Sequence, residues 1–350
     1  MSVESKNTRL DFLDIAKAIA IFLVLMGHTG ASDAMYLYRR TIYTFHMPLF
    51  LMISGMVSKH RENGYTRDTW KALIRKNAFA LVVPYFFWGL LYTNFNYVNL
   101  CRVVYASWKT INDSGSVLAL WYLVCLFLAR IEFEGVLWLS DRVKMDRRLF
   151  AALLSPVAFA VGLLLPQIEI GYPWEFDVSL IALGFLLIGY ALKKAVTDFS
   201  HKDRRWHAAL FAVAAALFAG GILVRGESLE LVLMFRARLG NLFWFFYLSL
   251  TGSAAVIGLS MLIAGAFGGK TKPGWYRGIV WVGRNTMGVF VLHKPFLPMV
   301  MIPFLIRLGM DEASVFTSAF ASLLTLSLAV VFTALIKKYC PALIGARRSR

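Results

Sequence analysis

The chain has 350 residues, of which 59% are hydrophobic and only 16% are charged, and its mean hydropathy is +0.63. This composition is too apolar for a soluble globular domain and is typical of a polytopic membrane protein. The formal net charge of +17 comes from Lys and Arg in short tracts between apolar runs, which argues against nucleic-acid binding. Three scattered cysteines, Cys101, Cys125 and Cys340, indicate neither a disulfide framework nor a metal site.

The apolar runs predict an all-α polytopic protein with about ten transmembrane helices in a single membrane domain, residues 1–350. In chain order the predicted spans are 12–30, 42–58, 77–96, 117–139, 149–167, 178–195, 207–225, 242–266, 279–304 and 313–336. Lys and Arg are concentrated in the short tails, 1–11 and 337–350, and in alternate loops. By the positive-inside rule, we expect both termini in the cytoplasm and a multi-pass protein of the cell (inner) membrane.

The first predicted span carries three titratable side chains on one helical stripe. Asp14, Lys17 and His28 fall within a narrow sector at 100° per residue, and Lys17 and His28 are separated by roughly 16 Å along the axis. Asp14 and Lys17 are also close enough to the span's start to snorkel or to pair with each other. Because ionisable side chains inside a membrane are costly, a functional site is the favoured interpretation.

Two further histidines are expected near the depth of His28. With the predicted orientation, His46 begins an inward span and His293 lies late in an outward span, so all three imidazoles are placed in the outer half. A histidine suits proton transfer near neutral pH. The alternative for His46 and His293 is that they are packing residues without a role in chemistry.

The cytoplasmic side is predicted to be basic. Arg75 and Lys76 precede the third span, Arg284 lies within the ninth, and with Lys17 these residues are candidates for binding phosphate groups. The alternative is an ordinary positive-inside tract that faces lipid headgroups.

One outer loop combines aromatic and acidic residues. Trp174, Glu175 and Asp177 precede the sixth span, and carboxylates beside aromatic rings suit sugar hydroxyls and sugar faces. They are therefore candidates for acceptor binding. Aromatic residues also line membrane interfaces in general, which is the competing explanation for Trp174.

The segment LDFLDIAKAIAIFLVLMGH, residues 10–28, resembles the first-span signature of the acyltransferase-3 family of integral membrane acyltransferases. That signature is a basic residue, ten residues, then histidine, which Lys17 and His28 match. FHMPLFLMISG at 45–55, ALWYLVCLF at 119–127, FLLIGYALKK at 185–194 and GRNTMGVFVLH at 283–293 resemble further blocks of the family, nearest to its fucose 4-O-acetylase-like branch.

The resemblance implies transfer of an acyl group, usually acetyl from cytoplasmic acetyl-CoA, to a hydroxyl of a surface or lipid-linked glycan. Lys17 would bind the donor's phosphates and His28 would be catalytic. Acetyl-CoA would be a substrate, with no tightly bound cofactor, and membrane lipids would be partners. The family's R-x-x-x-F-x-R pattern is matched by Arg75 and Phe79, but Leu81 stands at its last position.

The residues leave several alternatives open. His28 would act as the general base on the sugar hydroxyl or would form an acyl-histidine intermediate. Asp14 would support Lys17 through an i, i+3 pair. Intramembrane charges and histidines also occur in proton-coupled transporters, and a non-catalytic membrane assembly factor is a third class. The identity of the glycan, the choice between acetyl and succinyl, and the oligomeric state are not determined by these patterns.

Overall fold

A computed structural model describes residues 10–29, 36–59, 64–267, 271–311 and 314–347. Within these ranges the regular secondary structure is helical, and no strand is formed. The nearest approach to a strand is a single antiparallel bridge between Leu233 and Arg238. The predicted all-α class is therefore confirmed for the described part of the chain.

The α-helices are numbered here in chain order. The first eight are α1 Asp11–Gly27, α2 Tyr36–Met56, α3 Arg67–Asn77, α4 Val83–Tyr92, α5 Tyr97–Tyr105, α6 Trp108–Asn112, α7 Trp121–Arg142 and α8 Arg147–Leu164. They are followed by α9 Phe176–Ser200, α10 Arg204–Arg225, α11 Leu242–Ala266, α12 Gly274–Arg284, α13 Thr286–Phe296, α14 Ile302–Arg307 and α15 Val315–Tyr339.

Six helical segments in the described ranges are long and apolar enough to cross a membrane. They are Arg147–Leu164, Pro173–Ser200, Arg204–Ser228, Leu242–Ala266, Thr286–Arg307 and Val315–Tyr339. These segments coincide with the last six predicted spans, and they identify a multi-pass membrane protein.

Helices also occupy the first four predicted spans, but they are shorter or more polar. Helix α1 has only 17 residues. Helix α7 carries Arg130, Glu132 and Glu134 in its middle. Ten spans and the orientation of the termini therefore stay predictions, because length and composition alone support six.

Two of the predicted spans are interrupted. The span 77–96 passes through a π-helical turn at Ala78–Val82 before α4, whose second residue is Pro84. The span 279–304 is divided at Asn285 into α12 and α13. At the first site, proline lacks the N–H that a helical hydrogen bond needs. At the second, the Asn285 side-chain amide donates to the carbonyl of Trp281. Each site perturbs the helical hydrogen bonds locally, while the hydropathy of the span stays continuous.

Helix α1 lies at the centre of the bundle, in contact with α2, α11, α12, α13 and α15. Its approach to α12 is especially close, because a Cβ atom on Gly283 would lie 1.7 Å from the carbonyl oxygen of Asp14. Only glycine permits this distance. The next residue of α12, Arg284, is consequently held beside the first turns of α1.

Candidate active site

The first turns of α1 form a network of ion pairs. The Asp14 carboxylate, which is 2% exposed, pairs with Lys17 at 2.7 Å and accepts a hydrogen bond from Arg284 Nε at 3.0 Å. Asp11 pairs with Arg284 Nη2 at 3.1 Å and with Lys272 Nζ at 2.5 Å. Because Asp14 is buried and shared, it fixes the position of the Lys17 ammonium.

Lys17 lines a cavity of about 300 Å³, here called the Lys17 cavity. A second cation in its wall is Arg130 of α7, whose Nη2 donates to Ser54 Oγ at 3.0 Å and whose Nη1 donates to Asn77 Oδ1 at 3.3 Å. In the described part of the chain, no carboxylate forms an ion pair with Arg130. A guanidinium held only by neutral groups leaves several N–H donors for an anionic ligand.

Sequence reasoning missed Arg130, although the signal was present. The residue lies in the middle of the predicted span 117–139. Placing a basic side chain inside the membrane costs free energy there, as it does for Lys17 in the first span. The same criterion applied to every predicted span would have selected it.

A second cavity of about 180 Å³, here called the His28 cavity, adjoins the first. His28 caps the C-terminus of α1, and its ring lines this cavity together with His46. Val24, Met47 and Phe290 line both cavities, so the two spaces meet at these three side chains. The two cavities therefore follow each other along α1, with Lys17 and His28 roughly 16 Å apart along the helix axis.

The structure brings the three predicted histidines together. The rings of His28 and His293 have centroids 5.0 Å apart, and Tyr43 stands between His28 and His46 at 6.4 and 5.1 Å. His46 Nδ1 donates to the carbonyl of Ile42 at 2.7 Å. His293 lies behind His28 and is fully buried.

These hydrogen bonds determine which ring nitrogens are acceptors. Because a carbonyl only accepts, the neutral rings of His46 and His293 carry their proton on Nδ1 and leave Nε2 as an acceptor. His293 Nε2 is buried without a partner. Among the described residues, none forms a hydrogen bond to the His28 ring, which therefore remains available to a ligand.

Other predicted site residues lie elsewhere. Arg75 and Lys76 are exposed at the end of α3 and line neither cavity. Trp174 donates from Nε1 to the carbonyl of Val104 at 3.1 Å, and its ring contacts two phenylalanines.

The two acids beside Trp174 are also turned inward. Glu175 is 0% exposed, Asp177 is 5% exposed, and neither lines the Lys17 cavity or the His28 cavity. Donor binding by Arg75 and Lys76 and acceptor binding by the Trp174 segment therefore stay predictions without support from the position of these side chains.

The two cavities differ in the chemistry they offer. The Lys17 cavity presents an ammonium and a guanidinium, which bind phosphate or carboxylate groups. The His28 cavity presents imidazole nitrogens, which transfer protons, and is also lined by Arg39 and Lys294. Together they suit a reaction in which an anionic carrier is bound at one end and its reactive group is presented at the other.

Comparisons with known proteins identify the family. The family described as "Acyltransferase domain", acyltransferase-3, matches residues 10–335. The nodulation protein NolL of Mesorhizobium japonicum is 37% identical over 95 residues, covering 25% of this chain and 24% of that protein. NolL of Sinorhizobium fredii is 26% identical over 209 residues, covering 56% and 54%.

The matched part of this chain thus spans about half or less of the length of each curated relative. The family match, in contrast, extends from the first turn of α1 almost to the end of α15. It confirms the resemblance drawn from the Lys17 to His28 spacing. The chain therefore belongs to the acyltransferase-3 family of membrane acyltransferases.

Proposed function

We propose that this protein transfers an acyl group, most simply acetyl, from cytoplasmic acyl-CoA to a hydroxyl of a surface or lipid-linked glycan. His28 is the general base. The observation that carries the proposal is that two adjoining cavities follow α1, one with Lys17 and Arg130 in its wall and the other with the imidazoles of His28 and His46. Family membership supports the acyl donor. The glycan acceptor rests on the resemblance of the motifs.

The donor phosphates bind at Lys17 and Arg130 in this proposal. The Lys17 cavity of about 300 Å³ is at the lower end of the range for ligand pockets. The pantetheine arm of CoA is comparable in length to the roughly 16 Å from Lys17 to His28. A donor held by its phosphates at Lys17 would therefore present its thioester beside His28.

The transfer then proceeds at the His28 cavity. The sugar hydroxyl oxygen attacks the thioester carbonyl carbon while the His28 ring accepts the hydroxyl proton. The tetrahedral intermediate collapses, the carbon–sulfur bond breaks, and the CoA sulfur takes the proton from the imidazolium. The products are the acyl ester and free CoA, and His28 returns to its neutral form.

In the proposed orientation the protein lies in the inner membrane with both termini in the cytoplasm. The segment before α9 then lies on the outer side of that membrane. Reporter fusions test it directly. A reporter that is active only outside the cytoplasm should work when fused after Trp174 and should fail when fused at the C-terminus. The reverse result would remove the two-sided mechanism.

The function is tested with purified protein in lipid nanodiscs and radiolabelled acetyl-CoA. We expect saturable binding of acetyl-CoA and transfer of label to a glycan extract from cells that lack this protein. A transporter or an assembly factor would release no CoA thiol. Acetyl-CoA that neither binds nor loses its acetyl group in the presence of glycans would contradict the proposal.

A further inference from the structure

We propose that the acceptor carries a negatively charged group, which Arg39 and Lys294 bind in the His28 cavity. This inference rests on the proposed function and adds the chemical class of the acceptor. The anionic group is a carboxylate of a sugar acid or a phosphate of a lipid-linked sugar.

The first observation is the charge of the cavity wall. Arg39 of α2 and Lys294 of α13 line the His28 cavity from two different helices. None of the described residues that line it is Asp or Glu. The described part of the wall therefore has two cations and no carboxylate to balance them.

The second observation is that, among the described residues, no carboxylate forms an ion pair with either cation. Lys294 forms no hydrogen bond or ion pair within the described ranges, and Arg39 Nε is buried without a hydrogen-bond partner. The Arg39 guanidinium lies 5.3 Å from the centre of the Tyr43 ring, which holds it against the cavity wall. A desolvated cation without a counter-charge is costly, and an anionic ligand removes this cost.

The donor cannot supply that anion. Its phosphates bind at the Lys17 cavity, roughly 16 Å away along α1, and the parts that reach His28 are a neutral pantetheine arm and a neutral thioester. The negative group therefore belongs to the acceptor. An acceptor anion would also offset the two cations when His28 becomes an imidazolium during transfer.

The remaining lining suits a sugar. Tyr43, Trp121 and Phe235 present aromatic rings to the same cavity, and the volume of about 180 Å³ is on the scale of a single sugar residue. Aromatic faces pack against the C–H faces of sugars while the cations bind the charged substituent. One monosaccharide would thus be held with a hydroxyl near His28.

The test uses glycans and lipid-linked saccharides from cells that lack this protein, separated by anion exchange into acidic and neutral pools. With purified protein and radiolabelled acetyl-CoA, we expect label in the acidic pool. Label mainly in the neutral pool would overturn the inference while leaving the proposed function intact. Absence of label from both pools would contradict the proposed function itself, and the inference would fall with it.

Chemical treatment of the acidic pool identifies the source of the charge. Carbodiimide activation followed by borohydride reduction converts carboxylates to alcohols, and phosphatase or mild acid removes phosphate. Loss of labelling after the first treatment identifies a sugar acid, and loss after the second identifies a sugar phosphate. Labelling that survives both treatments would contradict an anionic acceptor.

Two variants test the residues. We expect Arg39→Gln and Lys294→Gln each to raise the acceptor KM about 10- to 100-fold, the usual effect of losing a charged hydrogen bond, while kcat and acetyl-CoA affinity change little. Lys294→Arg should retain most of the acceptor affinity. Lys193→Gln is the matched control, because this half-buried lysine donates to the carbonyl of Ser58 and lines neither cavity.

A different pattern would overturn the assignment. If Lys294→Gln lowered kcat at saturating acceptor and left the acceptor KM unchanged, Lys294 would stabilise the oxyanion of the tetrahedral intermediate instead. Melting temperatures measured in the same nanodiscs separate either result from a loss of folding.

Discussion

The Lys17 cavity and the His28 cavity adjoin each other, but their polar groups are held in opposite ways. Lys17 is anchored by the buried carboxylate of Asp14, and Arg130 is anchored by Ser54 and Asn77. In the His28 cavity, His46 is held by the carbonyl of Ile42 and Arg39 lies against the Tyr43 ring, but other groups have no such anchor among the described residues. The His28 ring has no hydrogen-bond partner there, and Arg39 Nε is buried and unpaired.

This difference is consistent with the two tasks of the proposed reaction. A carrier that is the same in every turnover is best bound by cations that are already fixed, because ordering them costs no binding energy. Groups that must exchange protons or bind a variable partner need open hydrogen-bonding positions. The distribution of partnered and unpartnered groups therefore separates a binding end from a reacting end.

The largest expected effect is at His28. His28→Ala should reduce acyl transfer by about 10²- to 10⁴-fold, since loss of a general base typically costs that much, and should leave acetyl-CoA affinity nearly unchanged. Turnover, isothermal titration with acetyl-CoA and melting are measured on the same preparation. The control is His207→Ala, because His207 contacts the carbonyl of Phe199 and lines neither cavity.

Near-normal turnover in folded His28→Ala would contradict the assignment of the His28 cavity as the reacting end with His28 as its base. His46, which lines the same cavity, would then become the candidate base.

At the binding end, the pattern should reverse. Lys17→Ala should weaken acetyl-CoA binding about 10- to 100-fold, because a charged contact with a phosphate is lost, and Lys17→Arg should retain much of the affinity. Titration of acetyl-CoA into purified protein measures the change. Lys194→Ala is the control, because Lys194 pairs with Asp198 and lines neither cavity. Equal affinity in wild type and Lys17→Ala would leave Lys17 as an anchor for Asp14 only.

Hydropathy predicted much of the fold, and the reasons for its failures are local. The six segments from Arg147 to Tyr339 that are apolar enough to span were all expected from their composition. The break at Asn285 was not, because one amide that donates to the carbonyl of Trp281 hardly changes the average hydropathy of the span. That break is nevertheless what ends α12 at Arg284.

The site was predicted in part. Periodicity places Asp14, Lys17 and His28 on one stripe of α1, and the structure has Lys17 and His28 in adjoining cavities. Periodicity within one helix does not report contacts between helices, so the pairing of Asp14 with Arg284 required the structure. Composition likewise does not show that Trp174 packs inward against Phe86 and Phe127.

A smaller effect is expected at Arg130, which shares the binding end with Lys17. Leu81, at the position where the family pattern has a basic residue, is buried and lines the Lys17 cavity, as Arg130 does from α7. Arg130→Leu should weaken acetyl-CoA binding about tenfold, the lower end of a charged contact. Adding Leu81→Arg should restore part of that affinity. If the double variant bound no better than Arg130→Leu, the two positions would not serve the same phosphate groups.

The smallest expected effect is at His293, which tests whether the unpartnered nitrogen behind His28 serves catalysis or packing. His293→Phe keeps an aromatic ring against His28 and removes both ring nitrogens, the unpartnered Nε2 and the Nδ1 that donates to the carbonyl of Phe290. Removing the unsatisfied Nε2 relieves about 1 to 3 kcal/mol and losing the Nδ1 hydrogen bond costs about 0.5 to 1.5 kcal/mol, so the melting temperature should stay the same or rise. Turnover should nevertheless fall several-fold if the polar ring beside His28 supports the proton transfer, because phenylalanine has no acceptor to offer there. Leu292→Met, a conservative change at the preceding buried position, controls for altered packing of α13. Unchanged turnover in a more stable His293→Phe variant would make His293 a packing residue and would confine the reacting end to His28, His46 and the cations beside them.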